Sequence, residues 1–320
     1  MGFWQVDSDT LARSRFVISP LAETVACLKA LERGTDAHPG DWVGTRLPAY
    51  RERLAADPIT ALIVKAALGR RWNADFLTPP PSGEAEPTFH EELERVLETP
   101  PEVCRAHLVM ALERPLPDRL RRHDIAERAA GLLEWIWTET VLPDWPRRRR
   151  ILEADIVART RGMGRDGWAA VLDDLRPGTR WLGGGRLQIN VHDYPPRDIS
   201  GSRLFLVPVT PRFGWVAWDE PCRYAVVYPC AGVLAEAGRA AAPAALGRLL
   251  GAGRATVLVL LEEPKSTTQL VALTGQALGS VGRHLKVLLD AGLVGRRRAG
   301  RSVLYYRTDA GDVLVRAGSC

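Results

Sequence analysis

Through about residue 175 the apolar positions recur at three- and four-residue spacing, the mark of helices with one buried face. The pattern predicts helices over Leu21–Leu31, Tyr50–Leu68, His90–Leu97, Val103–Glu113, Asp124–Val141 and Arg149–Arg161, with Pro143 and Pro146 stopping the one that ends near Val141. Thr78 to Pro87 is proline-rich and polar, which predicts an exposed loop. From Thr179 to Pro229 the period shortens. Leu187, Ile189 and Val191 alternate with Gln188 and Asn190, Leu204 to Val209 is nearly all apolar, and Arg223 to Tyr228 is rich in β-branched and aromatic residues. Three to five strands, mostly antiparallel, are expected there.

Past Cys230 an alanine-rich helical stretch leads through Pro243 into a differently patterned segment. Arg254 to Glu263 reads as a helix closed by Pro264, and Ser266 is placed to cap a second helix through Leu270, Val271 and Leu273. Thr274-Gly275 turns the chain into a third helix. There Leu278, Val281, Leu285 and Leu288 form an inward stripe and leave Gly279, Ser280, Arg283 and Lys286 on the other side. Helix, glycine turn and helix make a helix-turn-helix. Gly292 ends the third helix, and a hairpin follows from Val294 to Arg307 with its tip at Ala299-Gly300-Arg301. The expected fold class is α+β: a mostly helical N-terminal domain with a small antiparallel sheet over residues 1–238, then a C-terminal winged helix-turn-helix over 239–320.

Composition narrows the classes. A chain of 320 residues with 46% hydrophobic and 25% charged residues is globular and long enough for two or three domains. No apolar run approaches the roughly 18 residues of a membrane span, and Met1 to Asp7 lacks the layout of a signal peptide, so a cytoplasmic protein without membrane partners is expected. The five cysteines are scattered, which suggests neither a disulfide framework nor a thiolate metal site. All but four of the 43 basic residues are arginines, and the chain's net charge is +5. Its location matters more than its size. Between Arg283 and Arg307 stand seven basic residues and one acidic one, Asp290, so that stretch alone exceeds the whole chain's excess.

Arg254 to Arg307 resembles the winged helix-turn-helix of ArsR-type bacterial transcriptional regulators. The resemblance rests on the run Val281-Gly282-Arg283-His284-Leu285-Lys286-Val287-Leu288-Leu289-Asp290-Ala291-Gly292-Leu293-Val294 and on the basic hairpin after it. The long N-terminal extension is similar to that of an actinobacterial subgroup. This likeness implies a dimeric repressor that binds operator DNA, with Thr267, Thr268, Gln276, Gly279, Ser280, Arg283, His284, Lys286, Arg296, Arg297, Arg298 and Arg301 as the DNA-contacting candidates. Arg283 is the candidate for base reading, because guanidinium can grip guanine O6 and N7 with two bonds, while wing arginines meet phosphates or the minor groove. The plainer alternative is that the hairpin arginines only solvate an exposed loop. Metal-sensing members carry a CxC pair on the preceding helix. Here Ser266-Thr267-Thr268-Gln269-Leu270-Val271 offers no thiolate or imidazole, so neither metal nor cofactor is expected.

Other signals compete with that reading. Gly162-Met163-Gly164-Arg165-Asp166-Gly167 matches GxGxxG but follows a charged helix rather than a buried strand, so a loop between helices is expected. His90-Glu91-Glu92-Leu93-Glu94 lacks the second histidine of HExxH, and no nucleophile elbow surrounds Ser200 or Ser202 near His192-Asp193-Tyr194. Arg147 to Arg150 reads as a solvated face or as a contact with DNA or an acidic partner. Trp181, Phe205, Phe213, Trp215, Trp218 and Tyr224 fall in strand-like sequence, forming either a core or an aromatic pocket for a small-molecule effector; Trp215 and Trp218 cannot share one sheet face without a bend. The alternative function is a small-molecule-modifying enzyme that uses the winged helix for dimerisation, and the chain lacks the glycine-rich loop after a parallel strand that this would need.

Overall fold

Side-chain caps start several helices in the N-terminal half. The structure is a computed structural model describing residues 2–34, 42–69, 71–83, 86–173, 175–192, 194–230, 242–262, 264–299 and 302–318. Two compact units emerge: Met1–Trp145 with Asp166–Pro229, and Pro146–Arg165 with Cys230–Cys320. The boundary expected between 238 and 239 lies outside the described residues.

The first unit opens with β1 (Phe3–Gln5), α1 (Ser8–Arg13) and β2 (Arg15–Phe16), none of which the apolar periodicity suggests. Ser19 then caps α2 (Pro20–Arg33) by accepting from the Ala22 amide, with proline at the first helical position. The single helix expected over Tyr50–Leu68 is two, α3 (Trp42–Ala56) and α4 (Pro58–Ala67). Pro58 disfavours helical backbone at Asp57, which instead caps α4 through the Thr60 amide. A capping box between Thr88 and Glu91 starts α5 (Phe89–Leu97), and α6 (Pro101–Leu112) and α7 (Ile125–Ile136) follow, α7 running on into a π turn through Val141. The next helix, α8 (Trp145–Leu172), contains the GxGxxG run that was expected to be a loop, and its one non-helical residue is Gly167, at φ 72 and ψ −177. Glycine tolerates that conformation, so the run breaks a helix rather than following a strand.

Among the described residues six strands, not three to five, follow: β3 (Arg180–Trp181), β4 (Arg186–Gln188), β5 (Arg197–Asp198), β6 (Arg203–Val209), β7 (Trp215–Asp219) and β8 (Arg223–Pro229). They join β1 and β2 in two sheets, of order β3-β4-β1-β5 and β2-β6-β8-β7. Both sheets are mixed rather than mostly antiparallel, since β6 runs parallel to β2 and β8, and β5 parallel to β1. The cause is that β8 lies between β6 and β7. It forms a hairpin with β7 while its other edge pairs with β6, an order that local patterning does not encode.

Both faces of the larger sheet are covered. Phe205, Val207, Val209, Trp215, Ala217, Ala225 and Val227 enter one core with the apolar faces of α2, α5 and α7. The alternate positions Leu204, Leu206, Tyr224 and Val226 are buried on the opposite face, where Trp4 of β1 meets Tyr224 edge-on at 5.3 Å. Burial on two sides explains why β6 and β8 read as unbroken apolar runs. The helical core also encloses charges. Glu92, 4% exposed, accepts from the Ser19 hydroxyl (2.9 Å) and the Leu21 amide (2.8 Å), and burial pushes its carboxyl up to about 7.

The second unit holds α9 (Ala244–Leu250), α10 (Ala252–Leu260), β9 (Lys265–Ser266), α11 (Thr267–Thr274), α12 (Leu278–Asp290), β10 (Val294–Ala299), β11 (Ser302–Arg307) and α13 (Asp309–Gly318). Neither β9 nor α13 is marked by the apolar pattern of the sequence. In this unit's stretch of α8 the arginine run is not one solvated face: Arg148 is 5% exposed and Arg149 pairs with Glu153 at 2.8 Å, while Arg150 is exposed. No helix among the described residues is long and apolar enough to cross a membrane.

Candidate nucleic-acid interface

Helix α11 is fixed at its start by a reciprocal pair of bonds. The Gln269 amide donates to the Ser266 hydroxyl (3.2 Å), and the Ser266 amide donates to the Gln269 side-chain oxygen (2.7 Å). Thr267 and Thr268 occupy its first turn, half-buried. Gly275 ends the helix at φ 66, in the left-handed region where a side chain would be strained, and the Gln276 amide donates to the Thr274 hydroxyl at 3.3 Å. The chain thereby turns into α12.

Three residues of the expected stripe, Val281, Leu285 and Leu288, are buried against Val257, Leu258, Leu261, Leu270 and Val294. The fourth is not: Leu278 is 62% exposed. It is the first residue of α12, one turn beyond the part of the helix that lies over the core, so periodicity carried the stripe too far. Ala277 caps the helix without a side-chain acceptor.

Gly279, Gly282, Arg283 and Lys286 are exposed along the outer side of α12, with Ser280 half-buried among them. The Arg283 guanidinium donates to the Ser280 hydroxyl at 3.2 Å, one turn back along the helix. His284 points elsewhere. A Cβ at Gly253 would fall 2.6 Å from its Nε2, which places the ring on α10 in a space that only glycine leaves open. Burial there, with Arg254 and Arg283 nearby, holds its pKa below the usual histidine value.

The hairpin β10–β11 pairs Arg296 with Tyr305, Arg297 with Leu304 and Arg298 with Val303. Strand alternation sends Arg296 and Arg298 to one face and Arg297 to the other, and all three are exposed. Arg301 lies outside the described residues. The third strand, β9, pairs Ser266 with Leu304 and Lys265 with Tyr305, so the residue that caps α11 also anchors the wing. Not every basic residue of this stretch is available. The Arg307 side chain is 10% exposed and pairs with Asp312 of α13 at 3.0 Å. The arrangement thus sets five exposed cations within one unit, Arg283 and Lys286 on a helix and Arg296, Arg297 and Arg298 on a hairpin, Arg297 facing the other way from its two neighbours. A helix and ribbon so charged can meet a phosphate-lined groove.

The six aromatic candidates are not brought together. Phe205 and Trp215 sit in the helical core; Trp218 and Tyr224 lie on the opposite sheet face. Phe213 lies under the Arg33 guanidinium at 5.0 Å, and Trp181 is half-buried on β3. Trp218 lines a cavity with Trp72, which the sequence pattern does not mark, and Tyr194, which stands out in the sequence only within His192-Asp193-Tyr194. Neither belongs to a strand or a periodic helix face, so no pattern marks them. The hydroxyl of Ser202 donates to the Pro221 carbonyl (2.9 Å), and the Ser200 amide donates to Asp198 (2.9 Å), in line with local turns.

Residues 254–295 match the family model described as bacterial regulatory protein, arsR family. No curated protein and no solved structure matches the chain. The matched residues run from α10 through the turn and α12 into the first residues of the wing. The C-terminal unit therefore carries a helix-turn-helix of the arsR family of bacterial regulatory proteins, the DNA-binding element of a transcriptional regulator.

Proposed function

We propose that this protein is a sequence-specific repressor acting as a cytoplasmic homodimer, with two copies of α12 reading operator half-sites about one helical turn apart. The observation that carries the reading is the set of exposed cations formed by Arg283 and Lys286 of α12, within the residues that match the family model, and Arg296 to Arg298 of the wing directly after them. Arg283, held by Ser280, reads bases; the wing arginines bind backbone; Thr267, Thr268, Gln276 and Gly279 contact phosphates or base edges beside them. His284, seated on Gly253, orients α12 on α10. Residues up to about 238 serve dimerisation and recognition of a small-molecule effector, which acts by binding the DNA-competent and incompetent arrangements with different affinity.

Fluorescence anisotropy tests this. The protein is titrated into its own upstream intergenic DNA and a scrambled control at two salt concentrations, beside Arg283→Ala. Preference for the upstream DNA, weakened by salt and reduced by Arg283→Ala, is expected. Equal, negligible binding to both DNAs overturns it.

A further inference from the structure

A cavity of about 660 Å³ opens within the first unit, a size that suits a drug-sized molecule. Three segments distant in sequence build its wall. Trp72 comes from the loop after α4, Tyr194 from the loop before β5, and Trp218 from β7. Trp72 stands edge-on to both partners, its centroid 4.2 Å from Tyr194 and 5.7 Å from Trp218, so the wall presents ring edges and ring faces together. Aromatic faces of this kind hold flat apolar bodies and attract cations.

The charges in the same wall are unbalanced. Asp75, Asp219 and Glu220 are acidic; against them stand Arg197 and His107, whose pKa burial holds below the usual histidine value. Arg197 is already engaged: it pairs with Glu220, and its guanidinium lies over the Trp218 ring at 4.6 Å. Asp219 is paired too, with Arg223 and, at 3.6 Å, with Arg95. Asp75 is left. Among the described residues no donor forms a hydrogen bond to its carboxylate, and burial pushes its pKa up to about 6, partly opposed by Arg197 and reinforced by Glu220. At neutral pH it is still mostly an anion, half-buried in the cavity wall with the aromatic rings. A half-buried carboxylate without a hydrogen-bond partner gains most from a positive group that brings its own donors.

We propose that the cavity binds a small organic cation, with an aromatic or fused-ring body packed among Trp72, Tyr194 and Trp218 and a protonated nitrogen donating to Asp75. The role of this molecule as the effector rests on the repressor reading; its binding does not, and the two are measured separately.

The test uses three compounds with one body and different charge: 2-(1-naphthyl)ethylamine, 1-naphthaleneacetamide and 1-naphthaleneacetate, titrated calorimetrically into the full-length protein without DNA at pH 7.5. The ammonium compound is expected to bind roughly tenfold or more tighter than the amide, the size of effect one charge-assisted hydrogen bond supplies, with the carboxylate weakest. Asp75→Asn, which keeps shape and removes charge, should bring amine and amide within about threefold of each other. Should that variant fail to fold, Met110→Trp replaces it: Met110 lines the cavity and is 52% exposed, so the larger ring obstructs the site and should weaken all three ligands. Equal affinity across the series, tightest binding of the carboxylate, or no heat from any compound overturns the proposal. Because DNA is absent, failure here leaves the operator assay standing, and a negative operator assay leaves this result standing.

Discussion

Replacing Arg296, Arg297 and Arg298 together by alanine tests how the wing meets DNA. Each arginine that neutralises a phosphate releases counterions and adds about 0.9 to the negative slope of log affinity against log salt. Alternation along β10 puts Arg297 on the opposite face from Arg296 and Arg298. A hairpin lying flat therefore brings at most two of them to the backbone, and one entering a groove edge-on brings all three. Edge-on entry is expected, because the two faces are equally exposed at these positions. The triple variant should then lose about 2.7 from the slope, so that between 50 and 200 mM salt the unaltered protein weakens roughly 40-fold more than the variant does. Arg297→Ala alone should lose about 0.9, and the pair Arg296→Ala with Arg298→Ala about twice that. Anisotropy titrations at four salt concentrations measure the slopes, and scrambled DNA should give the same differences because phosphate contacts carry little sequence information. A triple variant whose slope matches the unaltered protein would refute the reasoning: these arginines would then be solvated charge on a hairpin that stays clear of the duplex.

Three further outcomes concern stability. Ser266→Ala removes the acceptor for the Gln269 amide and should cost the second unit about 1 kcal/mol, with Ser266→Asp recovering most of it; urea unfolding followed by circular dichroism checks this, and an unchanged midpoint for the alanine variant argues against the cap. Gly311→Ala should destabilise despite a gain in helix propensity of about 1 kcal/mol, because its Cβ would lie 2.2 Å from the Leu293 carbonyl oxygen, a backbone atom that cannot step aside; a melting temperature at or above that of the unaltered protein contradicts it. Glu92 supplies a pH dependence. Its folded pKa, about 7, lies above the 4.5 of an ordinary glutamate, so the folded state holds the proton more tightly, and the contribution present below pH 4.5 is lost as pH rises through 7. The loss amounts to roughly 3 kcal/mol, and Glu92→Gln should flatten the stability difference between pH 5 and pH 8; parallel profiles for both proteins would exclude the cause.

The DNA-binding element was legible because its signals are local. Ser266 three residues before Gln269, glycine at 275 and 292, and apolar residues at 281, 285 and 288 each dictate backbone or burial within one or two turns, so the order of helix, turn, helix and hairpin followed from the chain alone. The outward side of α12 followed from the inward one. Leu278, His284 and Arg307 show where that logic stops: their burial or pairing depends on where the core ends, on a glycine in another helix and on Asp312 in a helix that no pattern announced.

In the first unit the sequence determined that a helical stretch precedes the run of strands from Arg180 to Pro229, and that Trp215 and Trp218 face opposite ways. Tertiary structure alone decided the rest. The position of β8 between β6 and β7, the recruitment of β1 and β2 from the N-terminus, and the meeting of Trp72, Tyr194 and Trp218 around Asp75 join segments up to about 200 residues apart. Such pairings are chosen by which arrangement buries the most apolar surface while satisfying every strand edge, a property of the whole chain that no window of neighbouring residues contains.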